Sequence, residues 1–200
     1  IIMYNVSHVS CYCLTVEAKT PLQHFINTNK YKPLSSSQGR DQFIIAREVL
    51  LKNNFLHYEI SNFSKQGCHS KHNQNYWDRT PYLGVGPSAH SFNRNTRQWN
   101  IRNNSIYCQK IESDQIYYET EKLNRKDIIN EQILTSIRTS RGLDPKALFC
   151  HMKILEINGF KKEINKLEKQ KLINTIEGVV RLTEKGMLFS DGISKRLFIL

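Results

Sequence analysis

The chain has 200 residues, with 29 Lys or Arg against 18 Asp or Glu, a formal net charge of +11, and 39% apolar residues. That length buries one good core or two small ones, and the apolar share excludes a wholly disordered chain. No run of about 18 apolar residues is present, which argues against a transmembrane helix, and the opening IIMYNVSHVS lacks the features of a signal peptide.

The first residue is not Met, and the chain reads as part of something longer. Ser7 to Val16 alternates and is rich in Val, Cys, Tyr, Leu and Thr, so a buried strand is predicted there. Cys11 and Cys13 lie two apart, which in a strand puts both thiols on one face, and inert buried thiols are expected. With Cys68, Cys108 and Cys150 they make five scattered cysteines. An odd number without a secretory signal fits the cytoplasm rather than a disulfide framework.

A short helix is predicted over Leu22 to Ile26, and a longer one over Ser35 to Asn53, where Ser35 and Gln38 have capping-box spacing. Phe55 to Ile60 reads as a second strand. Strand, helix, strand predicts a parallel βαβ unit whose following loop, Ser61 to Thr80, carries ligand-binding residues. Glu59 and Asn62 stand at the end of that strand, with Glu59 read as structural.

From His57 to Asn100 the chain holds His57, His69, His72 and His90, both tryptophans, Trp77 and Trp99, and the turn marked by Gly84 and Gly86. Imidazole, indole and bare glycine backbone suit a flat aromatic or anionic ligand. On local grounds a strand needing a tight bend explains the two glycines equally well, and a loop tied down by hydrogen bonds and packing explains His72 and Trp77. Arg97 to Asn100 resumes an extended pattern.

Helices are predicted over Asn104 to Ile111 and Asp127 to Arg138. Asp144 caps a further one with Pro145 at its first position, and Phe160 to Gln170 forms another. Leu172 to Thr175 and Val179 to Leu182 read as a hairpin turning at Glu177-Gly178, and Thr183 caps a last helix towards Phe198. This order suggests a winged-helix-like module. Lysines gather there, but aromatic interleaving for single-stranded bases is absent, so a solvated basic face outweighs a nucleic-acid site.

The segments HVSCYCLTVE, HYEISNFSKQG, HNQNYW, YLGVGPSAHSF and RQWN, in this order, resemble radical-SAM proteins of the oxygen-independent coproporphyrinogen-III-oxidase-like family, in its haem chaperone branch. The later LTSIRTSRGLD and LINTIEGVVRLTEKGMLFSDGI are similar to that branch's C-terminal domain. The resemblance implies an α/β fold: the C-terminal part of a partial (β/α) radical-SAM barrel with the HNxxYW loop over 1–110, then a helical, winged-helix-like domain over 111–200.

It also implies haem binding by His72, Asn73, Tyr76 and Trp77, with His72 as haem-iron ligand and His69 near enough to substitute. Gly84, Gly86, Ala89 and Thr15 are implied as S-adenosylmethionine contacts, with Glu17 beside Thr15. The family's [4Fe–4S] cluster is held by a Cys-x3-Cys-x2-Cys motif, and no cysteines here have that spacing. The chain is therefore expected to be inactive alone in radical chemistry. Haem and an apo-haemoprotein acceptor are the implied partners, with association to a membrane surface a further expectation and nucleic acid disfavoured. Two other readings are a coproporphyrinogen III oxidase-type enzyme and a basic winged-helix nucleic-acid binder.

Overall fold

The computed structural model describes residues 1–200, which divide into two compact units, Ile1–Ser70 and Lys71–Leu200. The proposed division of the chain at residue 110 falls inside the second unit.

In the first unit, β1 is His8–Ser10, α1 Pro21–Asn27, α2 Ser36–Lys52, β2 Leu56–Glu59 and β3 Asn62–Ser64. Both helices begin where side-chain chemistry dictates. The Thr20 hydroxyl accepts from the Gln23 N–H ahead of Pro21, and Ser35 and Gln38 cap each other reciprocally. β1 is shorter than the predicted Ser7–Val16 strand. The Cys11 N–H still donates to the Ser61 carbonyl at 2.7 Å, but beyond it the chain has no pairing strand and Tyr12 and Leu14 are 71% and 73% exposed.

The parallel βαβ expectation is overturned. β3, which lies in the stretch read as a loop, sits between β1 and β2 and pairs antiparallel with both. The two strands flanking α2 do run in the same direction, but pairing is a non-local choice that neither alternation nor helix length reveals. The core of this unit is small: Val9, Leu50, Phe55 and Phe63.

In the second unit, α3 is Lys71–Trp77, β4 His90–Phe92, β5 Thr96–Asn100, α4 Asn104–Glu112, β6 Tyr118–Lys122 and α5 Arg125–Ile137. The three strands form one antiparallel sheet in the order β4-β5-β6. β6 escaped the sequence reading because YETEK is exposed throughout and shows no apolar alternation. The predicted strand from Tyr82 shrinks to a single bridge between Tyr82 and Phe92 before β4.

The rest comprises α6 Pro145–Phe149, α7 Ile154–Lys169, the hairpin β7 Ile173–Ile176 and β8 Val179–Leu182, α8 Glu184–Met187 and α9 Ser190–Leu197. Glu177 and Gly178 both have positive φ, 54° and 81°, as a two-residue hairpin turn of this hand requires. Thr183 caps α8, and the single predicted last helix is two, broken at Phe189. Every fourth residue of α5, Ile129, Ile133 and Ile137, is buried, and α5 packs on α9 through a core shared with Leu148, Leu167 and Val180. No helix is long and apolar enough to cross a membrane.

Candidate functional site

The HNxxYW segment is a helix and not a loop: α3 carries it whole. Residues i and i+4 share one helical face, so His72 and Tyr76 are neighbours, with ring centroids 4.9 Å apart and planes at 89°. Tyr76 meets Tyr82 in the same edge-on manner at 4.9 Å, and Tyr82 leads to the buried Phe92 at 6.0 Å. Burial pushes the Tyr82 phenol up, and Tyr76 beside it adds to the shift.

His72 is exposed and neither ring nitrogen is hydrogen-bonded within the chain. Tyr76 is 44% exposed. Trp77 lies roughly 140° around the helix from His72, half-buried and lining clefts with α5. The four motif residues thus divide between two faces: His72 and Tyr76 on an open aromatic face, Trp77 in a cleft. Asn73 is half-buried between them in sequence.

His69 belongs to the first unit and stacks on the buried Tyr58 ring at 4.5 Å and 18°. The Tyr58 hydroxyl in turn is 2.8 Å from His8 Nε2, and burial, with His69 nearby, lowers the His8 imidazole's pKa. His57 stacks on Phe63 at 4.1 Å, donates from Nε2 to the Ile60 carbonyl at 3.0 Å and leaves Nδ1 buried without a partner. Burial lowers its pKa and so favours the neutral imidazole, and its partners are those of a structural residue. Glu59 and Asn62 are buried and hydrogen-bonded to each other, and Ser10 and Tyr12 complete the network around Asn62.

The glycine turn is organised by a residue the sequence reading quoted but gave no role. Asn100 is 2% exposed, and its Nδ2 donates to the carbonyls of Gly86 and Gly84 at 2.9 and 3.4 Å. The Gly84 N–H donates to Ser91 Oγ at 3.0 Å, the Gly86 N–H to the Tyr107 hydroxyl at 3.2 Å and the Ala89 N–H to the Gly86 carbonyl at 3.3 Å. These backbone groups are engaged within the turn, so a ligand there meets it through van der Waals contact. Gly86 has φ 103°, and Gly84 has no room for a Cβ against the His90 carbonyl. Thr15 and Glu17 are exposed residues of the first unit, while Gly84, Gly86 and Ala89 belong to the second.

The expectation of buried thiols fails at Cys13, which is exposed; Cys11 is half-buried, and burial pushes its thiol up. Both line one cavity of about 320 Å³ with Leu34, Phe43 and Phe63. No three His, Cys, Asp or Glu side chains gather in a geometry that holds a metal ion. The residues present therefore do not fit an iron–sulfur cluster. For haem, the exposed His72 imidazole beside the Tyr76 and Tyr82 rings would offer a nitrogen donor and aromatic surface to a porphyrin.

No family model matches the chain. It is 28% identical over 191 residues to the haem chaperone HemW of Bacillus subtilis, covering 94% of this chain and 50% of that protein. Against the haem chaperone HemW of Lactococcus lactis identity is 26% over 192 residues, 96% of this chain and 50% of the relative. The mitochondrial radical S-adenosyl methionine domain-containing protein 1 of Bos taurus is 25% identical over 198 residues, 93% of this chain and 45% of that protein. Among solved structures, the radical SAM enzyme coproporphyrinogen III oxidase (HemN) from Escherichia coli superposes with a TM-score of 0.70 at 18% identity, over 98% of this chain and 49% of the enzyme. The chain spans about half the length of the curated relatives it matches. It is thus similar in sequence to haem chaperones and to radical S-adenosyl methionine domain-containing proteins, and its mixed α/β fold matches about half of the HemN structure.

Proposed function

We propose that this chain is a haem-binding protein of haem chaperone type, which holds haem on the open face of α3 for delivery to an apo-haemoprotein in the cytoplasm. The observation that carries the reading is the exposed, unengaged imidazole of His72 set edge-on to Tyr76, with Tyr82 next in line. Bound haem supplies an iron that accepts an axial nitrogen and a flat apolar surface that packs against aromatic rings. Residues that release their ligand to another protein are better open than enclosed, because enclosure slows dissociation. Tyr76 and Tyr82 limit how the porphyrin lies, while Asn73 and Trp77 complete the segment.

S-adenosylmethionine is proposed to meet Gly84, Gly86 and Ala89 of the second unit. An anionic membrane surface is a second proposed partner for a chain of net charge +11. Nucleic acid is not proposed: Arg125 and Arg196 are committed to Glu156 and Glu163, and Lys166 to Glu163. The enzyme reading rests on likeness of fold, and one fold serves many chemistries.

The test is a haem titration followed at the Soret band, with the parent chain and His72→Ala. Saturable one-to-one binding that weakens about tenfold or changes its Soret position in the variant supports the reading. Equal binding by both proteins removes His72 from the site, and a folded parent that binds no haem overturns the function.

A further inference from the structure

Two cavities of about 370 and 240 Å³ lie at the end of α3 against α5, and both are lined by Trp77, Asp78, Gln132 and Ser136. The larger adds Arg79, Arg94 and Thr135; the smaller adds Arg141. The larger one is walled by an indole, an amide, two hydroxyls, the guanidinium groups of Arg79 and Arg94 and the Asp78 carboxylate, and the smaller has Asp144 as a second acid. On the Arg94 side of the larger, the guanidinium, hydroxyl and indole groups suit a carboxylate carried on a flat aromatic body.

The charges are uneven. Arg79 donates through Nε and Nη2 to Glu131 at 3.1 and 3.0 Å, and Arg97 is paired with the same carboxylate. Arg141 is paired with Asp78. Four guanidinium groups thus stand against three carboxylates, those of Glu131, Asp78 and Asp144, and Arg94 is the arginine without a carboxylate partner. Its backbone carbonyl accepts from Arg79 Nη2 at 3.4 Å, which ties the β4–β5 turn to the ion-paired centre and fixes where the Arg94 side chain starts. Asn93 Oδ1 accepts from the N–H groups of Asn95 and Thr96 and closes the same turn.

We propose that this cleft receives a propionate carboxylate of haem, with Arg94 as its charge partner, the Ser136 hydroxyl as a further donor, and Trp77 as the flat wall beside the porphyrin edge. The inference rests on the haem reading but not on His72 as the iron ligand. It gives the Trp77 side of α3 a task separate from that of the His72 side: one reads the acid edge of the ligand, the other its metal and face. Arg79 and Arg97 set the field without leaving Glu131, since breaking a half-buried pair costs more than an added contact returns.

The experiment titrates the 200-residue chain and its Arg94→Glu variant with haem and with haem dimethyl ester, in which both propionates are blocked. Arg94 is exposed on a turn, so circular dichroism of the variant should match the parent. The expected result is that the parent binds haem at least tenfold more tightly than the ester, and that Arg94→Glu removes this difference by weakening haem alone. If the parent binds haem and ester alike, or Arg94→Glu leaves haem affinity unchanged, the propionate assignment falls while haem binding stands. If the folded parent binds neither compound, the haem reading falls and this inference with it.

Discussion

The side-chain amide of Asn100 donates to the carbonyl oxygen of Gly86 at 2.9 Å across the mouth of the glycine turn. The Asn100 backbone N–H donates to Ala89 at 2.9 Å, and its Oδ1 accepts from Gln98 Nε2 at 3.4 Å. One buried side chain therefore pins the turn to β5.

Replacing Asn100 by Ala takes the amide donor from the part-buried carbonyls of Gly86 and Gly84 and leaves Gly86 only the Ala89 N–H at 3.3 Å. A loss of about 1–3 kcal/mol is expected, and Asn100→Asp should cost at least as much because it presents an acceptor to an acceptor. Urea denaturation of the two variants against the parent measures both.

The two glycines answer differently to the same substitution. Ala at Gly84 drives its Cβ into the His90 carbonyl, so the strands must part, at a cost of about 3 kcal/mol. Ala at Gly86 meets open space and suffers only from its positive φ, roughly 1–2 kcal/mol. Denaturation midpoints should therefore rank parent, Gly86→Ala, Gly84→Ala in falling order; the reverse order would mean that strain and not packing governs the turn.

The Arg125 guanidinium, through a bidentate pair at 2.8 and 2.6 Å, and the Lys153 N–H at 2.7 Å hold the Glu156 carboxyl down at about 2. A carboxylate depressed in the folded state adds stability above its ordinary pKa and loses it as pH falls through the folded value. The stability difference between parent and Glu156→Gln should be constant near neutrality and close between the usual carboxylate range and pH 2. The pair is at the surface, so added salt should shrink the difference as well.

His57 and His8 both have imidazole pKa values lowered by burial, so the folded chain resists protonating them. The unfolded chain then binds more protons below the ordinary imidazole value, and stability falls as pH drops through that value towards the folded ones. His57→Phe keeps a ring against Phe63, removes the unpaired Nδ1 and should flatten this acid slope in a pH series of denaturation midpoints. An unchanged slope would place the titration elsewhere.

Local chemistry made much of this legible. Ser35 and Gln38, Asp144 before Pro145, and Glu177-Gly178 announce their caps and turn within four residues, and each is found in place. The antiparallel insertion of β3 was not legible, because Asn62-Phe63-Ser64 is too short for a pattern. β6 hid for a related reason, since its five residues are all exposed.

The same division runs through the candidate site. Resemblance to a family singled out His72, Asn73, Tyr76 and Trp77 as one segment, whereas their local chemistry alone fits a loop tied down by hydrogen bonds and packing. Folding decided that the segment is a helix, so its period separates His72 and Tyr76 from Trp77. Packing brought Tyr82 to the first face, and Arg79, Arg94 and Ser136 to the second, from elements as far away in sequence as α5. Spacing along a chain specifies local periodicity, whereas which distant side chains share a cleft depends on how helices and strands pack, and only the folded molecule expresses that.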